Sequence, residues 1–346
     1  MPVTLVGSIM APSLAFAMLE KELKKRGVEV RALLGNGKPV GLSAREVKEF
    51  VAGSDVVLLG MSVPGEFARE EHWAAFGALD KGIPLGLYAD TYGVFRRPWF
   101  RYTRKEASFL FVPDEEEAKE ARPELGPESK TEVIASGNPT WEDFFSPKFT
   151  REGVRKGLSI NGNETAVLCS IGTVLEPNKV MLEAVDRAMD ASNLNAKLIV
   201  CIHPGDQHFK ENPGVYNDLI NAMSTPSLLV TMDFMPTMDV VAGMDLVIDT
   251  PGSSIGICAA CQRVPVVCYC SKEALASLEE AITTRVWKPC ERGVMLPIYD
   301  LSELKAMPNQ NLSAMVERQK RIFPAPTEKG RAVRIMADTL TKYAKK

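Results

Sequence analysis

The run Val247-Ile248-Asp249-Thr250-Pro251-Gly252-Ser253-Ser254-Ile255-Gly256 holds the residue types and spacing that most directly offer chemistry. A strand-like apolar run ends in a Gly-Ser loop. An apolar helix pattern follows, and then a second strand run, Val264-Pro265-Val266-Val267. Such a loop leaves backbone N–H groups and two hydroxyls at a helix N-terminus, where the helix dipole favours an anion. Asp249, Gly252, Ser253 and Ser254 are therefore expected to frame a nucleotide phosphate. The plainer alternative is a strand-to-helix turn with a serine N-cap. Gly172 and Thr173, after the strand run ending near Ser170, offer further N–H groups or simply connect two elements. His203, in Ile202-His203-Pro204-Gly205-Asp206, closes another strand run. That places it at the sheet edge where open α/β folds bind ligands. The other two histidines, His72 and His208, lack such a position.

Two carboxylates in the first half also follow strand runs. Asp90 lies in Tyr88-Ala89-Asp90-Thr91-Tyr92-Gly93, and Glu66 follows Gly65. Either could take a proton from an attacking hydroxyl, and either could equally be a cap or a loop salt bridge. The segment from Phe95 to Lys105 packs five basic and four aromatic residues into eleven positions, including Arg96, Arg97, Trp99, Arg101 and Arg104. Basic residues interleaved with aromatics suit a polyanion with stackable bases or sugars. The competing reading is a solvated loop whose aromatics pack on the sheet. Cys258-x2-Cys261 and Cys268-x-Cys270 have zinc-like spacing, but their Ala- and Val-rich surroundings favour buried small hydrophobes. No metal is expected.

The elements that must position these groups alternate along the whole chain. Apolar strand runs over 3–7, 28–34, 55–60 and 83–89 are separated by helical patterns over 13–26, 43–52 and 67–81; Ser43 with Glu46 forms a capping-box signal. Two more strand runs follow at 109–113 and 132–136. The alternation breaks at Gly137-Asn138-Pro139-Thr140-Trp141 and restarts at Arg151, with strands expected at 165–170, 197–203, 228–231, 245–249 and 264–270. This is the pattern of parallel sheets covered by helices. The chain has 346 residues, a length for two domains. It is 45% hydrophobic and 25% charged with net charge −3, which gives no global pull toward nucleic acid or membrane. No apolar run is long enough to span a bilayer, and the first residues read as a strand, not a signal peptide. Seven cysteines in mostly apolar settings fit reduced thiols in the cytoplasm.

Several segments carry a resemblance. Ser136-Gly137-Asn138-Pro139 is similar to a linker motif of UDP-N-acetylglucosamine 2-epimerases and related transferases. His203-Pro204-Gly205 resembles a turn after one of their second-domain strands, and Gly252-Ser253-Ser254 resembles their phosphate loop. The resemblance implies a GT-B architecture, an α/β fold of two doubly wound Rossmann-like domains with a C-terminal crossover helix. The expected boundaries are an N-terminal acceptor domain, 1–145, with helix 327–346 packing back on it, and a nucleotide-sugar domain, 146–326. The implied activity is a glycosyltransferase using a nucleotide-diphosphate sugar, most simply a UDP-sugar, without a tightly bound cofactor or a required metal. Asp90, Glu66 or His203 would serve catalysis. Gly172, Thr173, His203, Asp249, Gly252, Ser253 and Ser254 would hold the nucleotide. Ser8, Arg96, Arg97, Trp99 and Arg101 would meet an acceptor in the interdomain cleft, an anionic glycan, a lipid phosphate or DNA. The alternatives are a UDP-sugar 2-epimerase-like enzyme or a non-catalytic binding module, as a monomer or homodimer. The family's acidic residues on the helix after its loop are absent here, where Gly256, Ile257 and Cys258 stand.

Overall fold

The computed structural model describes residues 2–63, 65–192, 194–309 and 312–345. Two compact units emerge. The first comprises Met1–Glu142, Glu279–Thr284 and Pro326–Lys346; the second comprises Asp143–Leu278 and Arg285–Ala325.

The first unit is built on six parallel strands, β1 (Pro2–Gly7), β2 (Glu29–Leu34), β3 (Val56–Leu59), β4 (Leu85–Tyr88), β5 (Phe109–Val112) and β6 (Glu132–Ala135), in the order β2-β1-β3-β4-β5-β6. Short, wholly apolar strands such as Val56–Leu59 suit a sheet covered on both faces. Successive side chains serve opposite cores. Val57 and Leu59 join Leu85, Leu87, Leu110 and Val112 beneath helices Ala44–Val51, Arg69–Asp80 and Glu115–Leu125. Val56 and Leu58 join Val3, Leu5, Phe109 and Phe111 on the other side. There the covering helices are Met10–Lys25 and the C-terminal Arg331–Ala344, which contributes Val333, Met336, Ala337 and Leu340. Glu142 fixes that last helix by accepting the N–H groups of Gly330 at 2.5 Å and Ala332 at 2.7 Å. An acid at a helix N-terminus meets both its orphan donors and its dipole.

The second unit repeats the plan with β7 (Thr165–Ser170), β8 (Ala196–Cys201), β9 (Ser227–Val230), β10 (Leu246–Asp249), β11 (Val266–Tyr269) and β12 (Leu296–Ile298), ordered β12-β11-β10-β7-β8-β9, all parallel. In each sheet the strand order reverses beside the first strand, at β1/β3 and at β7/β10. Such a switch point opens a crevice at the strands' carboxyl ends, because the flanking connections leave in opposite directions.

Most strands fall where alternation predicts them. The reading missed β12, the helix Glu115–Leu125 and the helix Ser313–Ile322. Leu296-Pro297-Ile298 is too short to show a period. Glu115–Leu125 opens with three consecutive acids and contains Pro123, so it resembles a polar loop; Asp114 caps it by accepting the Glu117 N–H at 2.8 Å.

Candidate functional site

At the first sheet's switch point the chain buries a polar cluster. Ser8 follows β1, Ser62 follows β3, Asp90 follows β4 and Arg97 lies in the loop beyond; all are at most 6% exposed. Glu71, in the first turn of helix Arg69–Asp80, is fully buried among them. Its carboxylate accepts the Ser8 N–H at 3.1 Å, the Ser62 N–H at 2.7 Å and the Ser62 hydroxyl at 2.5 Å. The Ser62 hydroxyl accepts the Ile9 N–H at 3.1 Å, tying the loop after β1 to the loop after β3. Trp99 donates its indole N–H to the Ser62 carbonyl at 3.0 Å. Gly60 completes the close approach, since a Cβ there would lie 2.6 Å from Pro12 Cβ.

The loop that carries Asp90 and Arg97 is held firmly. Asn138 donates its amide to the Asp90 carbonyl at 2.6 Å, so the Gly137-Asn138-Pro139 turn braces the end of β4. Gly93, at φ 77°, gives its N–H to the buried Glu117 at 2.5 Å, and Tyr92 gives its hydroxyl to Asp114 at 2.9 Å.

Burial governs the charges. It raises the Glu71 pKa to about 7, against the pull of Ser62, the Ser8 N–H and Arg97. It also raises Asp90, with Arg97 opposing, and it lowers Arg97 despite both acids. Two acids thus share one guanidinium in a low-dielectric site, where each proton matters. Asp90 Oδ1, Arg97 Nε and Nη1, and Ser8 Oγ are buried without hydrogen-bond partners among the described residues. Buried polar atoms are normally satisfied. This set of donors and an acceptor matches a polar, anionic ligand; a guanidinium fork pairs well with phosphate or carboxylate oxygens.

The structure thus places Asp90, Ser8, Arg97 and Trp99 in the loops at the carboxyl edge of the first sheet. Glu66 stands exposed in the turn before the helix, and Glu71, which sequence reading missed, occupies the buried position. In sequence, Glu70-Glu71 at a helix start reads as ordinary dipole complementation. The basic stretch also needs correction. Arg96 pairs with Glu120 at 3.1 Å and Glu124 at 3.2 Å and lies over the Phe95 ring. Arg104 is buried and donates to the Phe95 carbonyl at 2.5 Å. Phe95 and Phe100 are core residues. Only Arg101 and Lys105 of the five basic residues are exposed, so the segment presents no open cationic face for DNA or another polyanion.

At the second switch point, Asp249 ends β10, 2% exposed. Its carboxylate accepts the Gly256 N–H at 2.6 Å and is also bonded by the Ser253 and Ser170 side chains and the Thr250 backbone; burial still raises its pKa to about 6. The Ser253 hydroxyl accepts the Ile255 N–H at 3.1 Å as the N-cap of helix Ser254–Cys261. Thus Asp249 and Ser253 hold the loop rather than project from it. Two helix-start N–H groups expected for a phosphate are capped within the chain. Gly252, at φ 88°, and Ser254 remain exposed at the loop surface. Gly256, Ile257 and Cys258, which follow on this helix, are buried.

Gly172 likewise spends its N–H on Asn178 Oδ1 at 2.9 Å, which corrects its expected role as a free donor. Asn178 continues to the Tyr216 hydroxyl at 2.8 Å, and Tyr216 donates to Asp206 at 2.7 Å, a buried chain absent from the sequence reading. Thr173 and His203 are exposed and flank Gly205, where a Cβ would meet His203 Nδ1 at 3.0 Å and Thr173 Cγ2 at 3.3 Å. His203 Nδ1 accepts the Gly205 N–H at 2.9 Å. The neutral ring therefore carries its proton on Nε2, which leaves that atom as a donor. Desolvation lowers its pKa, against the pull of Asp206, and favours that neutral form. A separate 660 Å³ cleft lined by Phe145, Phe149, Arg151 and Arg263 opens where β10 and β11 begin, at the edge opposite the Gly-Ser loop. Its arginines are engaged, Arg151 with Asp245 and Arg263 with the Gln319 and Phe323 carbonyls.

No family model and no curated protein matches the sequence. Solved structures do match the whole chain. UDP-N-acetylglucosamine 2-epimerase from Neisseria meningitidis, bound to UDP-N-acetylglucosamine, has a TM-score of 0.65 at 16% identity, covering 99% of this chain and 100% of that one. The UDP-N-acetylglucosamine 2-epimerase of Methanocaldococcus jannaschii gives 0.65 at 14% identity with the same coverage. S. aureus MnaA, solved with UDP, gives 0.69 at 13% identity over 99% of this chain and 97% of that chain. With two reversed six-stranded parallel sheets and full-length superposition, the chain has the GT-B-type fold of the UDP-N-acetylglucosamine 2-epimerase structures.

Proposed function

We propose that this chain is a nucleotide-sugar enzyme of the 2-epimerase type, acting on a UDP-sugar. The observation that carries the reading is the buried Asp90–Arg97–Glu71 cluster, with its orphaned polar atoms, at the first sheet's switch point. Solved proteins of this fold include UDP-N-acetylglucosamine 2-epimerases crystallised with UDP-N-acetylglucosamine, one of them with UDP as well, and S. aureus MnaA crystallised with UDP. In this reading the exposed Gly252, Ser254, Thr173 and His203 of the second unit meet the nucleotide. His203 gives its Nε2 proton to a phosphate oxygen.

Inverting a C–H centre requires a base to remove the proton and an acid to return one on the other face. Two carboxyls with raised pKa values are suited to hold opposite protonation states near neutrality. Asp90 would be the ionised partner, kept so by Arg97, and Glu71 the proton reservoir. Arg97 would also stabilise negative charge that develops on the substrate.

The test is incubation with UDP-N-acetylglucosamine in D2O without acceptor, followed by proton NMR. The expected result is a second UDP-sugar epimer with deuterium at the inverted carbon, lost in Asp90→Asn. Binding of UDP with neither epimer nor exchange overturns the reading. Glycosyl transfer is the second reading, favoured by the absence of carboxylates at Gly256, Ile257 and Cys258. It predicts UDP release only when an acceptor hydroxyl is supplied.

A further inference from the structure

Three cysteines converge at the carboxyl end of β11. Cys268 lies on the strand and Cys270 follows two residues on, so both side chains project to the same side. Cys290 reaches them from the short helix Lys288–Glu291. The Cys268 and Cys270 sulfurs are 3.9 Å apart, and all three sulfurs lie within 4.8 Å of one another. Cys268 and Cys270 are buried and Cys290 is half-buried, which leaves a path from solvent to the cluster. Of the two pairs with zinc-like spacing in the sequence, Cys258 and Cys261 take no part. Both are buried on helix Ser254–Cys261, as small hydrophobes do.

We propose that Cys268, Cys270 and Cys290 form a three-thiolate site for one soft d10 cation, Zn2+ or Cu+. A metal–sulfur bond of about 2.3 Å places sulfurs roughly 3.8–4.0 Å apart in tetrahedral or trigonal geometry, and the Cys268–Cys270 separation already has that value. Thiolates select soft ions and leave Mg2+ and Ca2+ to oxygen ligands. Simple packing explains one buried cysteine at a time; it gives no reason for three sulfurs from two elements to meet. Asp249 stands in register with Cys268 on the neighbouring strand. A cation here would therefore sit beside the carboxylate that holds the Gly-Ser loop. The inference stands independently of the proposed activity.

The test uses the reduced full-length protein under argon, titrated with Cd2+ as a spectroscopic probe and with Zn2+ against a chromophoric chelator. One equivalent should bind, with thiolate-to-metal charge-transfer absorption for Cd2+. Cys290→Ser should weaken binding at least tenfold, and Cys258→Ala should leave it unchanged. Alkylation of the wild-type protein, read by mass spectrometry, should show Cys268, Cys270 and Cys290 protected by the ion, a measurement that needs no variant to fold. Absence of charge-transfer absorption, equal affinity in Cys290→Ser, or protection at other cysteines overturns the proposal. So does a Cys268–Cys270 disulfide that forms in place of ion binding.

Discussion

Arg97 stands in the buried polar cluster of the first unit, and the proposed activity places its charge on the substrate. It is 4% exposed, two of its nitrogens lack hydrogen-bond partners among the described residues, and the charges of Asp90 and Glu71 act on it. Replacing it with Lys keeps a charge but loses the fork. Arg97→Lys should lower turnover roughly 10²–10³-fold, the usual effect of removing one preorganised donor, while UDP still raises the melting temperature as in the wild type. Steady-state kinetics beside a thermal-shift titration would check both halves. Glu71 gives a stability signature. Its native pKa of about 7 lies above the ordinary value of 4.5, so the native state binds more protons than the unfolded one between these pH values. Its contribution is fully present below the unfolded value and is lost as pH rises toward 7. Urea midpoints for the wild type should therefore fall from pH 5 to pH 7, and Glu71→Gln should flatten that slope. An equal slope in the variant would assign the dependence to other buried acids. Asp90 could be read from sequence because it follows a strand run at the ligand edge. Glu71 could not, since nothing local distinguishes a buried acid in a first helical turn from a solvated one.

The helix Ser254–Cys261 shows the same division within one element. Its start was legible: a strand, a glycine able to take φ 88°, and a serine cap. What occupies its N–H groups was not legible, because Asp249 reaches Gly256 only after β10 and the helix pack. Ser253→Ala should cost the second unit about 0.5–2 kcal/mol, the range for losing an N-cap. Gly256→Ala should cost about 1–3 kcal/mol as overpacking, since its Cβ would lie 2.9 Å from both Asp249 Oδ2 and Met295 Cε. Chemical denaturation measures both, and a Gly256→Ala protein as stable as wild type would show that Met295 moves aside freely.

In the molecule as a whole, the last helix completes the first unit's core. Met336 is fully buried with Leu5, Phe16 and Phe109, although more than two hundred residues separate it from each of them. Met336→Ala should destabilise the first unit by about 2–5 kcal/mol. Hydrogen exchange should then quicken in β1, β3 and β5 and stay unchanged in β7, β8 and β10. The alternation of short apolar strands with amphipathic helices determined the parallel sheets, their helical cover and the restart after Pro139, because hydrophobic period and backbone pairing are local properties. It also marked the sheet edges at Ser8, Asp90, His203 and Asp249. Only the tertiary structure decided which groups meet there. Folding joined Glu71 to Asp90 and Arg97, brought Cys290 to Cys268 and Cys270, and buried Phe95, Phe100 and Arg104 out of a segment that reads as a basic face. Those encounters depend on strand order and on the burial of polar groups far apart in the chain, which no local pattern of residues encodes.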